Sequence, residues 1–159
     1  IVRDSIVDGE GIRDVIFFQG CEHHCPGCHN TQTWQLDGGM EVTTGAVAHA
    51  LKNSTNDVTI SGGEPLLQPV ALLSLCRQLV LQGKRIWLYT GFRFEDRSLE
   101  YWDNLMRFGV VALVDGKFEQ GKANPKLKFR GSSNQRILNL RASVICKRPV
   151  VCDFDNVEE

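Results

Sequence analysis

The 159-residue chain has almost no net charge. Its 18 lysine and arginine residues nearly balance its 19 aspartate and glutamate residues, which gives a formal net charge of −1 at pH 7. Proteins that bind nucleic acid or acidic lipid usually need a clustered basic surface. The overall charge therefore indicates neither kind of partner, although it is compatible with a local basic patch.

The sequence also lacks long apolar runs. No stretch approaches the roughly 20 apolar residues that cross a bilayer, and residues 1–10 are too polar for the apolar core of a secretory signal. We therefore expect a cytoplasmic protein that binds no membrane. The chain opens on Ile1 without a methionine, and we expect a few residues to precede it.

Internal repeats, low-complexity tracts and linkers are absent as well. Hydrophobic residues make up 42 % of the chain and charged residues 23 %, which is ordinary for a globular protein. We therefore expect residues 1–159 to form one domain, which at this length buries a core without disulfides.

Cysteine, by contrast, occurs six times. In a cytoplasmic chain this number favours metal binding or catalysis, because that compartment keeps thiols reduced. Cys76 lies in an apolar helical stripe and is predicted to be a core thiol. Cys146 and Cys152 are predicted to pack in the core or at an edge, with a redox role as the alternative.

Strands alternate with helices along the chain, which predicts an α/β fold with a mostly parallel sheet. The patterns indicate strands at residues 12–18, 57–60, 85–89 and 110–114, and helices at 43–53, 69–82 and 96–107. Residues 116–133 are loop-rich and basic. Residues 136–151 are predicted to add one or two strands, and the last acidic residues are expected to fray.

The segment C-E-H-H-C-P-G-C places Cys21, Cys25 and Cys28 on one loop after the first predicted strand. Thiolates hold iron–sulfur clusters, which normally take four ligands. Three cysteines would leave one iron open to bind a substrate. A structural zinc site is the alternative. Its fourth ligand would be His23, His24 or His29. Without such a role, His23 and His24 are predicted to be exposed.

A second motif, Gly62-Gly63-Glu64-Pro65, follows the second predicted strand. Alone it is a common tight turn, but glycines also let a ligand approach the backbone, and Glu64 offers an acceptor for an ammonium group. Thr90 and Asp115 follow the next two strands. Ligand sites of parallel α/β folds form at the carboxyl ends of strands, so we expect these loops to converge on the cysteine loop. Asp115 would touch a ligand there or shape a turn with Gly116.

The cysteine spacing together with G-G-E-P resembles the radical S-adenosylmethionine (SAM) superfamily. Residues 7–13 and 19–21 resemble the opening strand of its glycyl-radical activases. The segments C-H-N at 28–30, V-D-G-K-F at 114–118 and R-G-S-S-N-Q at 130–135 are similar to activases of the anaerobic ribonucleoside-triphosphate reductase. The likeness runs from about residue 4 to residue 137.

This resemblance implies a shortened partial (βα) barrel of the radical SAM type. Cys21, Cys25 and Cys28 would ligate a 4Fe-4S cluster, and the amino and carboxylate groups of SAM would chelate the fourth iron. An electron donor such as flavodoxin or ferredoxin would drive cleavage of SAM to a 5′-deoxyadenosyl radical. That radical would generate a glycyl radical on the large catalytic subunit of the reductase.

The resemblance also implies the cofactor contacts. Glu64 and the backbone of Gly62 and Gly63 would hold the methionyl ammonium group. Backbone groups of Gly27, Cys28 and His29 would line the adenine edge, and Thr90 would be a further contact. Many superfamily members carry an aromatic residue directly before the third cysteine. This chain has Gly27 there, so adenine stacking must come from elsewhere or be weaker.

The basic stretch suggests where a partner docks. We hypothesise that it binds the reductase together with residues 131–136; its members are Lys117, Lys122, Lys126, Lys128 and Arg130. The alternatives are a radical SAM enzyme that acts on a small molecule, such as a deazapurine synthase, and a zinc-binding interaction module or electron carrier.

Overall fold

The computed structural model describes residues 1–156; the predicted fraying concerns Glu158 and Glu159, which lie outside that range. Six strands form one sheet in chain order. They are β1 (Val2–Ser5), β2 (Arg13–Phe18), β3 (Asp57–Gly62), β4 (Ile86–Tyr89), β5 (Val110–Asp115) and β6 (Arg136–Asn139). Strands β2 to β5 are parallel, whereas β1 and β6 are antiparallel edge strands. The mostly parallel α/β sheet is confirmed, and it is not closed.

Three helices connect the parallel strands, and a fourth follows β6. They are α1 (Thr44–Leu51), α2 (Pro69–Leu81), α3 (Leu99–Arg107) and α4 (Leu140–Cys146). The predicted cap of α1 is confirmed, because the Thr43 hydroxyl accepts a hydrogen bond from the Ala46 amide at 3.0 Å. Pro69 opens α2, where its missing amide hydrogen costs nothing.

Successive side chains of each strand point to opposite faces of the sheet. Ile86 and Leu88 therefore face the helices and the main core, while Trp87 faces the other side. There, Phe129 and Phe154 pack against Trp87 with ring centroids 5.5 and 5.7 Å away. Both faces are thus covered by apolar side chains.

The three cysteines outside the first loop have different surroundings. Cys76 is fully buried in the main core, as predicted, and burial raises the pKa of its thiol to about 12. Cys152 packs against the aromatic cluster on the other face, whereas Cys146 is exposed.

The structure corrects two predicted elements and adds one strand. Residues 140–146 form a helix rather than a second strand, because the Asn139 side chain caps the Ala142 amide and Leu140 packs into the core. Helix α3 begins at Leu99, after the Ser98 cap, rather than at residue 96. Strand β1 was not predicted, since its residues are mostly exposed and show no alternation.

None of the helices among residues 1–156 has the length and apolar composition needed to cross a membrane.

Candidate active site

The loops at the carboxyl ends of β2 to β5 meet at one edge of the sheet, as the motif positions predict. The Gly63 amide donates to the Phe18 carbonyl at 2.8 Å, and the Glu64 amide donates to the Gly20 carbonyl at 2.7 Å. The Thr90 amide donates to the Val114 carbonyl at 2.9 Å. Backbone hydrogen bonds therefore fix the relative positions of the cysteine loop, the glycine turn and the ends of β4 and β5.

The cysteine loop folds back over the end of β2. The Gly20 amide donates to the Thr33 carbonyl at 2.7 Å, and the Cys28 amide donates to the Cys25 carbonyl at 3.1 Å. Cys21 is buried, while Cys25 and Cys28 are half-buried, and none of them forms a disulfide. The loop thus presents three free thiols on a folded backbone.

All three thiols line one cavity of about 730 Å³. Its lining also contains many of the site residues expected from sequence, namely His29, Gly62, Gly63 and Thr90. Gly27 and Glu64 are not part of this lining. The cavity is large enough for a cofactor, since small-molecule sites commonly occupy about 300 to 1,000 Å³.

The donor set fits an iron–sulfur cluster, because three free thiols on one loop share a cavity. Burial raises the pKa of Cys21 and Cys25 above the ordinary thiol value. A bound metal would therefore have to displace their protons. Within residues 1–156, no group of three or more histidine, cysteine, aspartate or glutamate side chains is arranged to hold a single metal ion.

Gly62 and Gly63 are required by the approach of two backbones. A Cβ atom at Gly62 would lie 2.3 Å from the Phe18 amide nitrogen and carbonyl oxygen, and the φ of Gly62 is +111°. A Cβ at Gly63 would lie 2.3 Å from the Gly20 carbonyl oxygen. These glycines therefore let the turn pack against the cysteine loop, and both of them line the cavity.

We expect Gly63→Ala to lower the free energy of unfolding by about 1–3 kcal/mol, because backbone atoms must move to admit the methyl group. Urea denaturation would measure the change. Gly121→Ala is the matched control, because a Cβ there meets nothing within 4 Å, and its effect should stay within about 0.5 kcal/mol. Equal stability of the two variants would contradict the close contact.

Glu64 joins three loops instead of facing the cavity. Its side chain is 1 % exposed. One carboxylate oxygen accepts hydrogen bonds from His23 Nε2 at 2.8 Å, Thr90 Oγ1 at 2.7 Å and the Gly91 amide at 2.8 Å. The other accepts from the Leu66 amide at 2.9 Å. These donors occupy the carboxylate that we expected to receive an ammonium group.

His23 has a structural role that neither the exposed-loop prediction nor the zinc-ligand alternative indicated. We predicted an exposed loop residue, but its side chain is only 9 % exposed, and its ring packs edge-on against Phe92. A Cβ at Gly91 would lie 2.6 Å from this ring. His23 therefore ties the cysteine loop to the end of β4, whereas His24 is exposed, as predicted, and stacks on Trp34.

Asp115 shapes the fold rather than lining the cavity. It is 1 % exposed, accepts a hydrogen bond from the Phe94 amide at 2.8 Å and pairs with Arg136. The hydrogen bonds that Arg136 donates to the Asp115 and Glu95 carboxylates raise the pKa of Arg136. The structure therefore favours a structural role for Asp115 over contact with a ligand, through its contacts with Phe94 and Arg136.

The basic stretch divides into paired and unpaired side chains. Lys122 pairs with Glu119 at 2.8 Å, and Arg130 pairs with Asp155 at 2.7 Å. Three lysines line the cavity and form no ion pair with another described residue; they are Lys117, Lys126 and Lys128. We call these three the lysine rim.

Comparison with known proteins places the chain among iron–sulfur proteins. Residues 7–138 match the family described as a 4Fe-4S single cluster domain. The chain is 37 % identical over 148 residues to the anaerobic ribonucleoside-triphosphate reductase-activating protein of Escherichia coli K12, covering 86 % of this chain and 94 % of that protein. The protein of the same name from Enterobacteria phage T4 is 36 % identical over 142 residues, covering 84 % and 87 %. That from Vibrio cholerae is 37 % identical over 145 residues, covering 84 % and 91 %.

These matches agree with the resemblance stated from the motifs, and they span the cysteine loop, the glycine turn and strands β2 to β5. The chain belongs to the 4Fe-4S single cluster domain family and, within it, to the anaerobic ribonucleoside-triphosphate reductase-activating proteins.

Proposed function

We propose that this chain is a radical SAM activase that generates a glycyl radical on the large subunit of an anaerobic ribonucleoside-triphosphate reductase. The observation that carries the proposal is that Cys21, Cys25 and Cys28 share one cavity at the carboxyl edge of a parallel sheet. The names of its relatives support the reductase as partner. We further propose that residues 1–159 form one domain whose open sheet corresponds to a shortened partial (βα) barrel.

The three thiolates would hold a 4Fe-4S cluster and leave one iron for the amino and carboxylate groups of SAM. The chemistry supplied when both groups are bound is reductive cleavage of SAM to a 5′-deoxyadenosyl radical, which takes hydrogen from a glycine Cα. The protein's part is to orient these groups and exclude side reactions. A half-enclosed cavity beside the sheet serves both purposes.

We assign the remaining cofactor contacts from the cavity lining. The backbone of Gly62 and Gly63, which line the cavity, would hold the methionyl end of SAM. Cys28 and His29 line the cavity next to Gly27, and these three would border the adenine. Thr90 would form part of the wall, since its hydroxyl hydrogen is committed to Glu64. We assign Glu64 to hold the loops in place of the direct ammonium contact.

We propose a small one-electron carrier, flavodoxin or ferredoxin, as the electron donor. We also propose the cytoplasm as the compartment.

Incubation of the reduced protein with SAM and purified reductase tests the function. A glycyl radical signal on the reductase is the expected result. Formation of 5′-deoxyadenosine with no such signal would favour a small-molecule substrate, and one zinc with no sulfide would exclude the radical function.

Reversing two charges of the lysine rim should weaken docking of the reductase. We expect Lys126→Glu/Lys128→Glu to lower affinity for the reductase on the order of tenfold at low salt, because exposed charges act mainly by steering and modest pairing. Sedimentation or surface binding at two salt concentrations would measure it.

The matched control is Lys52→Glu/Arg77→Glu, which makes the same charge change at two exposed positions, one directly after α1 and one on α2. Equal reductase affinity of the rim variant and this control would remove the lysine rim from the docking surface.

A further inference from the structure

Phe118 lies beside the position from which an aromatic side chain before the third cysteine would project. A Cβ at Gly27, whose φ is +77°, would lie 3.1 Å from Gln120 Cδ and 3.2 Å from Phe118 Cε1. A Cβ at Gly131 would lie 3.0 Å from Phe118 Cδ2. The ring is therefore held between two glycines, one on the cysteine loop and one on the loop after β5.

Phe118 is half-buried and lines the cavity next to Cys25, Cys28 and His29. The His29 ring meets it edge-on, with centroids 5.6 Å apart. An aromatic side chain thus borders the segment that we assign to the adenine, although it comes from a different part of the chain.

The other aromatic side chains of the cavity are engaged elsewhere. Trp34 is stacked on His24, with centroids 4.7 Å apart and ring planes 8° apart. Phe129 packs against Trp87 and Phe154. Burial raises the pKa of the Tyr89 hydroxyl, which donates to the Phe129 carbonyl. Phe118 is therefore the aromatic residue best placed to meet a ligand beside Gly27.

The R-G-S-S-N-Q segment braces the loop that carries Phe118. Gln135 accepts hydrogen bonds from the Gly131 and Ser132 amides and donates to the Gly116 carbonyl at 3.0 Å. Asn134 donates to the Lys117 carbonyl at 2.7 Å. These polar side chains point into the loop, so the segment holds the backbone beside Phe118 in place.

We propose that Phe118 supplies the aromatic surface for the adenine of SAM, in place of the aromatic residue that many superfamily members carry at the position of Gly27. This inference rests on the proposed function. Gly27 is compatible with this arrangement, because a side chain there would crowd both Phe118 and Gln120 and would need a positive φ. A base can stack on any aromatic ring that presents a π-face, whichever part of the chain supplies that ring.

The test is the dissociation constant for SAM, measured from the change that SAM causes in the paramagnetic resonance spectrum of the reduced protein. We expect Phe118→Ala and Phe118→Leu to bind SAM roughly 5- to 150-fold more weakly, and Phe118→Tyr to bind like wild type. Leu81→Ala, at an exposed position of α2, is the control and should bind normally. Iron and sulfide content should be unchanged in all four variants.

Wild-type affinity in both Phe118→Ala and Phe118→Leu would overturn the inference. Equal weakening in Phe118→Tyr, or loss of iron from the variants, would also overturn it by showing that Phe118 only shapes the loop. If the wild-type protein holds a cluster and SAM changes its resonance spectrum, each of these results leaves the proposed function unaffected. A wild-type protein without that response would refute the function itself.

Discussion

Cys25→Ala should reduce formation of 5′-deoxyadenosine from SAM to the background measured without protein. Cys25 is the middle member of the loop, is half-buried and lines the cavity with Cys21 and Cys28. A 4Fe-4S cluster normally takes four ligands, and the open iron in this site already lacks a protein ligand. Removal of Cys25 would leave only two thiolates to hold the cluster. Product analysis after anaerobic reconstitution with iron and sulfide would measure the loss.

Cys146→Ala is the matched control for this experiment, because Cys146 is exposed on α4 and does not line the cavity. It should keep wild-type iron content and SAM cleavage. Cleavage by Cys25→Ala at a rate similar to that of Cys146→Ala would remove Cys25 from the ligand set.

Replacing Glu64 with alanine should lower the free energy of unfolding by about 3–5 kcal/mol, in the absence of any cofactor. The substitution leaves His23, Thr90 and the Gly91 and Leu66 amides without their acceptor. Buried donors that lose their partners cost about 1–3 kcal/mol each, partly recovered by relaxation or entry of water. Urea denaturation of the cluster-free protein would measure the loss.

Glu41→Ala provides the comparison, since Glu41 is exposed and lies outside the helices and strands. Its effect should remain within about 0.5 kcal/mol. A Glu64→Ala protein that is as stable as wild type but binds SAM weakly would restore the direct contact with the ammonium group. A large loss of stability before any SAM is added supports the positioning role.

The parallel part of the fold could be predicted because its patterns are local. Strands such as β2 and β5 are short branched or aromatic runs that end at a glycine, and helix α2 combines an apolar stripe with Pro69 at its start. Helix α4 could not be predicted this way, since β-branched residues at 144 and 145 favour a strand. Its helical state depends on the Asn139 cap and on packing against α3 and β5.

The sequence predicted those parts of the candidate site whose location follows from the order of the strands. Loops that follow parallel strands must meet at one edge, so the cysteine loop, the glycine turn and Thr90 were placed together correctly. The hydrogen bond between Glu64 and His23 was not predicted, because the two residues are 41 positions apart and no local pattern indicates it. Phe118 was missed for a similar reason, since its contacts with Gly27 and Gly131 depend on the path of two distant loops.

Electron paramagnetic resonance of the reduced protein, recorded with and without SAM alongside iron and sulfide analysis, decides whether the three thiolates hold a cluster that binds SAM. We expect four iron and four sulfide per chain, a reduced-cluster signal that SAM changes, and release of 5′-deoxyadenosine. The protein would be prepared without oxygen and supplied with iron and sulfide. If it then contains only zinc, or if SAM does not change its cluster signal, it is not a radical SAM enzyme.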